Sequence, residues 1–265
     1  MQVEDIACLS SVGVVLSVAH RAAIQSSFPL LKTNYKFSSV CFLGKLTGKD
    51  GDYLLAFGVE GSLGAKKYFF CKDGVSWAQL SVPTEETKAL VAKLPAALAF
   101  SGDITTETEI PAPPPAEGEE PAEPSKLTEE QRLAVVVAEL DAAAAIAPAG
   151  ALSLTPAGVV ANPTFSGLDA AGAMSVGSYV LIDQPKAKNV LADATNQAAD
   201  FLATADSLVP KGALVTRNDP ATGSVTVRNL LYPDAVAFCK PGTPTWGYVY
   251  SGNGEKNADI AFMLP

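Results

Sequence analysis

At 265 residues, with 48% hydrophobic and 18% charged side chains, the chain has the composition of a globular protein of one large or two small domains. A chain of this length buries roughly 70–75% of its unfolded surface, so its stability does not require disulfides. The net charge is −9, yet residues 103–130 hold nine acids against one base, Lys126, a balance of −8 that leaves about −1 elsewhere; a near-neutral body with one acidic strap and no evident basic patch argues against nucleic-acid binding.

Residues 3–35 carry a helical pattern divided at Gly13. Ser17 caps a second helix from Val18, and Pro29 argues against one unbroken rod. Residues 36–46 read as a strand, apolar on both faces at Val40-Cys41-Phe42-Leu43. Thr47 to Gly51 make a turn, and Tyr53, Leu55, Phe57 and Val59 alternate on a second strand. A third strand, Lys67 to Cys71, leads through Asp73-Gly74 to a fourth, Val75 to Leu80, because Asp-Gly between such runs signals a hairpin. Pro83 opens a helix with Glu85 and Glu86 in its first turn, where the dipole favours acids, and Pro95 closes it.

Ile104, Thr106, Thr108 and Ile110 alternate, as in an edge strand. Pro111 to Pro124 holds six prolines and four glutamates and is expected to be an extended, mobile loop. Thr128-Glu129-Glu130-Gln131 fits a capping box, and Leu133, Val136, Val137, Leu140 and Ala144 follow on one helical face that ends at Pro148-Ala149-Gly150. Residues 151–168 read as a short strand and a Pro/Gly loop, and Asp169 caps a short helix before a strand at 178–183. Leu191, Ala194, Ala198 and Phe201 space as a helix. Strands at 213–217, 224–231, 235–240 and 245–250 complete the chain.

The expected fold is α+β: a mainly antiparallel, meandering sheet, with helices at the start of each half and a disordered acidic Pro/Glu loop between. The halves are 1–110 and 127–265, packed as one body, with 111–126 as the flexible loop.

Catalytic constellations are absent from the motifs. The single histidine, His20, sits on a predicted helix; no G-x-S-x-G elbow occurs; four dispersed cysteines and one His do not make a zinc site. Gly44 to Asp50 falls one residue short of a phosphate loop and puts an acid where the magnesium-binding hydroxyl belongs. Asp50-Gly51-Asp52 lacks the next oxygen ligand of a calcium loop, since Leu54 stands there. No metal or other cofactor is expected. Cys8, Cys41, Cys71 and Cys239 form no C-x-x-C pair and suit reduced thiols. The start, Met-Gln-Val-Glu-Asp, lacks the positive region of a secretory signal, so a soluble intracellular protein is expected.

The most informative stretch is the last twenty residues. Trp246, Tyr248 and Tyr250 line one face of a strand, with Gly247 and Val249 on the other. Ser251-Gly252-Asn253-Gly254 is a tight-turn run, followed by Glu255, Lys256, Asn257, Asp259 and an apolar tail that includes Phe262. Two roles are open for the three rings, core and interface, since buried Tyr and Trp serve both. The acidic strap likewise has two, a solvated spacer or a tether to basic partners.

GYVYSGNGEKNADIAFML resembles the C-terminal signature of the radial spoke head protein 9 family. Weaker similarity runs through Pro210-Lys211-Gly212, Asn229-Leu230-Leu231-Tyr232-Pro233, Pro148 to Leu152, Asn34 to Phe37 and Phe42-Leu43-Gly44-Lys45. The resemblance implies a non-enzymatic subunit of the radial spoke head in the axoneme of motile cilia and flagella, a cytoskeletal location. There it would assemble with radial spoke head proteins 4 and 6 and with the spoke stalk and neck, and relay contact from the central pair toward the dyneins. On this basis Trp246, Tyr248, Tyr250, Asn253, Glu255, Lys256, Asn257 and Phe262 are candidate interface residues. The alternative from the residues alone is a cytosolic small-molecule binding module or an enzyme using carboxylates.

Overall fold

The computed structural model describes residues 1–95, 98–110, 125–186, 198 and 200–264. A 3-10 helix, Val3–Val12, ends at Gly13 in a left-handed conformation. Helix α1, Val18–Tyr35, follows, its first turn closed by Ser17 Oγ accepting from the His20 amide. Helix α1 runs through Pro29, against expectation: the burial of Ile24, Phe28 and Leu31 on the sheet outweighs one missing hydrogen bond.

Strands β1 (Ser39–Leu46), β2 (Tyr53–Val59), β3 (Lys66–Cys71) and β4 (Ala78–Gln79) form an antiparallel meander. Strand β4 is far shorter than the expected Val75–Leu80. The Asp73 carboxylate accepts from the Val75 and Ser76 amides and the Ser76 hydroxyl, which holds the chain in a wide turn. Trp77 Nε1 then donates to Ser27 Oγ, drawing the segment onto α1. Helix α2 (Glu85–Val91) is capped by Thr84, one residue after Pro83. Strand β5 (Glu107–Ile110) pairs with β6 (Ser125–Thr128), so the end of the expected flexible segment is strand; residues 111–124 lie outside the described residues.

Helix α3 (Glu129–Ala144) carries the expected capping box between Thr128 and Gln131. Strand β7 (Ile146–Pro148) follows it directly, and β8 (Leu152–Thr155) and β9 (Gly158–Ala161) make a hairpin where one strand and a loop were expected. Asp169 caps helix α4 (Ala170–Met174). Strand β10 (Tyr179–Pro185) pairs with β7 and with β11 (Leu202–Thr204). Leu191 and Ala194 of the expected helix lie outside the described residues, while Phe201 leads into β11 rather than ending a helix. Strands β12 (Leu214–Asp219), β13 (Ser224–Asn229), β14 (Ala235–Cys239) and β15 (Trp246–Gly252) form a second meander. The fold class is α+β with antiparallel sheet dominant. No helix among the described residues is long and apolar enough to cross a membrane.

The two meanders join into one eight-stranded sheet, ordered β12-β13-β14-β15-β1-β2-β3-β4. The joint is the parallel pair β1–β15, with Gly44 opposite Tyr250. Both faces are buried at the centre of the sheet, where β2 is buried at all seven positions, whereas the β12 and β4 edges are more exposed. Its Leu54 and Ala56 pack with the 3-10 helix and α1, whereas Tyr53, Leu55, Phe57 and Val59 pack with α3 and the β7–β10–β11 sheet. Strand β15 divides the same way: Val249 joins the first layer, and Tyr248 and Tyr250 join the second.

Gly44 makes the joint possible. A Cβ there would lie 1.8 Å from the Tyr250 carbonyl oxygen, and the β1–β2 register shifts between Phe42 and Gly44 to bring the strand in. Because the opposing atom is backbone, side-chain rotation cannot relieve the clash. Gly44→Ala should therefore lower stability by about 3 kcal/mol or more, measured by urea unfolding of the purified chain. An unchanged midpoint would mean that the strands can separate locally at no cost.

Candidate protein-interaction site

The C-terminal signature begins inside the core. Tyr248 stacks on Phe57, with ring centroids 6.1 Å apart and planes at 11°. Its hydroxyl donates to Asp141 Oδ1 at 3.0 Å. Asp141 Oδ2 accepts from the Tyr68 hydroxyl at 2.9 Å and from Lys66 Nζ, and Lys66 also lies 3.6 Å from Asp183. Asp141 is 1% exposed and the Lys66 side chain 4%. Burial, reinforced by the Asp141 charge, pushes the Tyr248 and Tyr68 phenols above their ordinary range, so both remain proton donors to the carboxylate. This network ties α3 to β3 and β15 within an otherwise apolar layer.

A second buried carboxylate, Glu129, sits at the start of α3. It accepts from the Tyr53 hydroxyl at 2.7 Å, from the Ser101 amide and hydroxyl at 2.8 Å each, and from the Gly102 amide at 2.9 Å. Burial raises its pKa, but these hydrogen bonds outweigh burial and hold it below the usual carboxylate value. One turn on, the Arg132 guanidinium lies 4.1 Å from the Phe100 ring centroid and donates to the Leu98 and Ala99 carbonyls.

The turn after β15 leaves this core at a fixed angle. The Gly254 amide donates to the Tyr250 hydroxyl at 2.7 Å. Gly254 has φ +86°, and a Cβ there would come within 3.1 Å of Leu46, 3.3 Å of Val136 and 3.4 Å of Phe100. Asn253 Oδ1 accepts from the Glu255 amide. Asn257 Nδ2 donates to the Leu230 carbonyl at 2.9 Å, and the Asn257 amide to Leu231 at 2.8 Å. Asn229, almost fully buried, donates to the Ala143 carbonyl at the end of α3. The Asn229 to Pro233 segment and the C-terminal signature thus form one continuous patch.

Residues 253–256 stand as a ridge between two hollows. One, of about 170 Å³, is floored by Leu98, Phe100, Arg132, Val136 and Tyr232. The other, of about 310 Å³, is lined by Pro233, Asp234, Asn257 and Met263. Phe262 is 90% exposed beyond them.

No family model matches the chain. Along nearly its whole length it is similar to proteins named radial spoke head protein 9 homolog. The bovine (Bos taurus) protein is 33% identical over 96% of this chain and 95% of its own. The human (Homo sapiens) protein is 34% identical over the same shares, and the zebrafish (Danio rerio) protein 36% over 95% and 94%. The chain belongs to the radial spoke head protein 9 family.

Within this family member the signature residues divide by position. Tyr248 and Tyr250 are core, because both sheet faces are covered and their face meets α3; they present no side-chain surface to a partner. Trp246 is half-buried beside them. Asn257 staples the tail to residues 230–231. Asn253, Glu255 and Lys256 are gathered on the ridge, and Phe262 stands alone beyond it. Sequence reasoning did not identify Lys66, Glu129, Arg132 and Asp141. Asp141 had a visible signal: it falls in the apolar row Leu133, Val137, Ala144 at helical spacing.

Two outcomes follow from the buried carboxylates. Asp141→Ala leaves Lys66 buried against only the more exposed Asp183 and should cost about 3–5 kcal/mol in urea unfolding; a loss below 1 kcal/mol would mean that the network is not a keystone. Glu129 has a depressed pKa, so its contribution is present above the unfolded-state carboxylate value and disappears as pH falls through its folded-state value. Glu129→Gln should therefore be less stable than the parent by about 1–3 kcal/mol at pH 7, with the gap closing below about pH 4. A gap that does not narrow as the pH falls below about 4 would locate the effect elsewhere.

Proposed function

We propose that the chain is a non-enzymatic structural subunit of the radial spoke head that docks on neighbouring head proteins through the 253–256 ridge and its two flanking hollows. Proteins of its family are radial spoke head components, found in the axoneme of cilia and flagella. The observation that carries the docking assignment is the ridge itself. It is polar and outward-facing, yet pinned by the Gly254–Tyr250 bond on one side and the Asn257 staple on the other. A pre-organised surface loses little freedom on binding.

The partners proposed are radial spoke head proteins of the 4 and 6 type, together with stalk and neck proteins, with the central pair touched transiently or indirectly. A rigid body between these contacts relays load from the central pair toward the dyneins. The buried carboxylates support a structural role over a catalytic one: Asp141 and Glu129 spend their acceptor capacity on tyrosines, amides and a lysine of the chain itself.

The test separates docking from folding. Lys256→Glu combined with Phe262→Ala changes exposed groups only and should shift unfolding by no more than about 0.5 kcal/mol. Co-assembly with the 4- and 6-type head proteins should weaken by roughly 30-fold if the ridge anchors the contact, the equivalent of about 2 kcal/mol. Full co-assembly by a normally folded variant would remove the ridge from the interface.

A further inference from the structure

At the β12 edge of the large sheet lies a second surface, which borders the C-terminal patch at Leu230. Val12, Val215, Arg217, Arg228 and Leu230 line a hollow of about 380 Å³ there. Strand β12 is terminal in the sheet and pairs only with β13 among the described residues. In that pairing Val215 faces Arg228 and Arg217 faces Thr226, so both guanidinium groups rise from one sheet face as diagonal neighbours. The chain has only four arginines, and two of them are here.

Their charges are left largely uncompensated. Among the described residues no carboxylate lies within 4.0 Å of either guanidinium. Arg228 donates to the Val12 carbonyl at 3.3 Å. Asp219, at the end of β12, is turned onto the Thr222 hydroxyl and the Ala221 amide. Asp234 feels the Arg228 charge from beyond hydrogen-bond range, as its pKa is raised by burial and pulled back by Arg228. Beside the guanidinium groups Val215 is 47% exposed, which gives the hollow an apolar wall.

We infer that this hollow binds an extended acidic segment of another protein, with two carboxylates two residues apart seated on Arg217 and Arg228 and flanking apolar side chains on Val12, Val215 and Leu230. The spacing fits: alternate side chains of an extended peptide point the same way at about 6.6–6.8 Å, close to the diagonal spacing of about 7 Å between the two arginine positions. Arginine is the side chain suited to such pairing, because its planar fork takes a carboxylate through two parallel hydrogen bonds. A nucleic acid is the poorer occupant, since the hollow is walled by apolar side chains and the chain carries a net charge of −9.

The probe is a fluorescein-labelled peptide, Val-Ser-Glu-Ser-Glu-Ser-Val, titrated with the full chain at low salt and followed by anisotropy. Saturable binding is expected, lost when both Glu are replaced by Gln. Arg217→Gln with Arg228→Gln should weaken it at least tenfold. Arg217→Gln alone, which removes no side-chain hydrogen bond seen among the described residues, should weaken it several-fold with an unchanged urea midpoint. Absence of saturable binding would overturn the proposal, as would equal affinity in the folded Arg217→Gln variant or equal affinity for the Gln peptide. Tighter binding of a single-stranded oligonucleotide would assign the hollow to nucleic acid instead.

Discussion

The whole fold hinges on the approach of one glycine to one carbonyl. Two antiparallel meanders, from opposite ends of the chain, become a single sheet only where β1 lies parallel to β15 with Gly44 against Tyr250. Any side chain at Gly44 would occupy the space of the Tyr250 carbonyl. Once the strands meet, β15 is central, both of its faces are covered, and its alternation sorts Val249 to one layer and Tyr248 and Tyr250 to the other. The ridge that follows inherits its position from this joint, because the Tyr250 hydroxyl holds Gly254.

The layer on the α3 side is apolar but for a few buried polar groups, and these set its register. Burying Asp141 and Lys66 together would be unfavourable without the two tyrosine donors that complete the carboxylate's hydrogen bonds. What such a network adds over an apolar one is direction. Ridges of aliphatic side chains can slide, whereas Asp141 meets Tyr248, Tyr68 and Lys66 in only one register of α3 on the sheet. Glu129 sets the other end of the helix by gripping the 101–102 turn. Two carboxylates twelve residues apart thus fix α3 at both ends.

Much of this was legible in the sequence, and the failures have physical causes. The caps at Ser17, Thr128 and Asp169 and the β2 alternation could be read because they depend on neighbours within a few residues. The β1–β15 joint could not, since Gly44 in isolation reads as a turn or bulge residue and its partner is remote. Pro29 misleads because local propensity does not register what Phe28 and Leu31 bury. Strands β6, β7 and β11, of three or four residues each, are too short to show a period. In the signature, sequence alone left the rings between core and interface; the cover on both sheet faces makes Tyr248 and Tyr250 core, while Asn253, Glu255 and Lys256 emerge on the surface.

The order of strands also has a consequence in time. Gly44 and Tyr250 are roughly two hundred residues apart in sequence yet adjacent in the sheet. During synthesis the first meander emerges early, with the β1 edge unpaired and apolar, and it waits for nearly the entire remaining chain before β15 can cover it. Long-range pairing of this kind is slow, and an open strand edge is where chains pair with the wrong neighbour. At a few to about twenty residues per second, the wait lasts about ten seconds or more on the ribosome. The strand order thus sets an interval in synthesis during which one edge of β1 has no partner strand from its own chain.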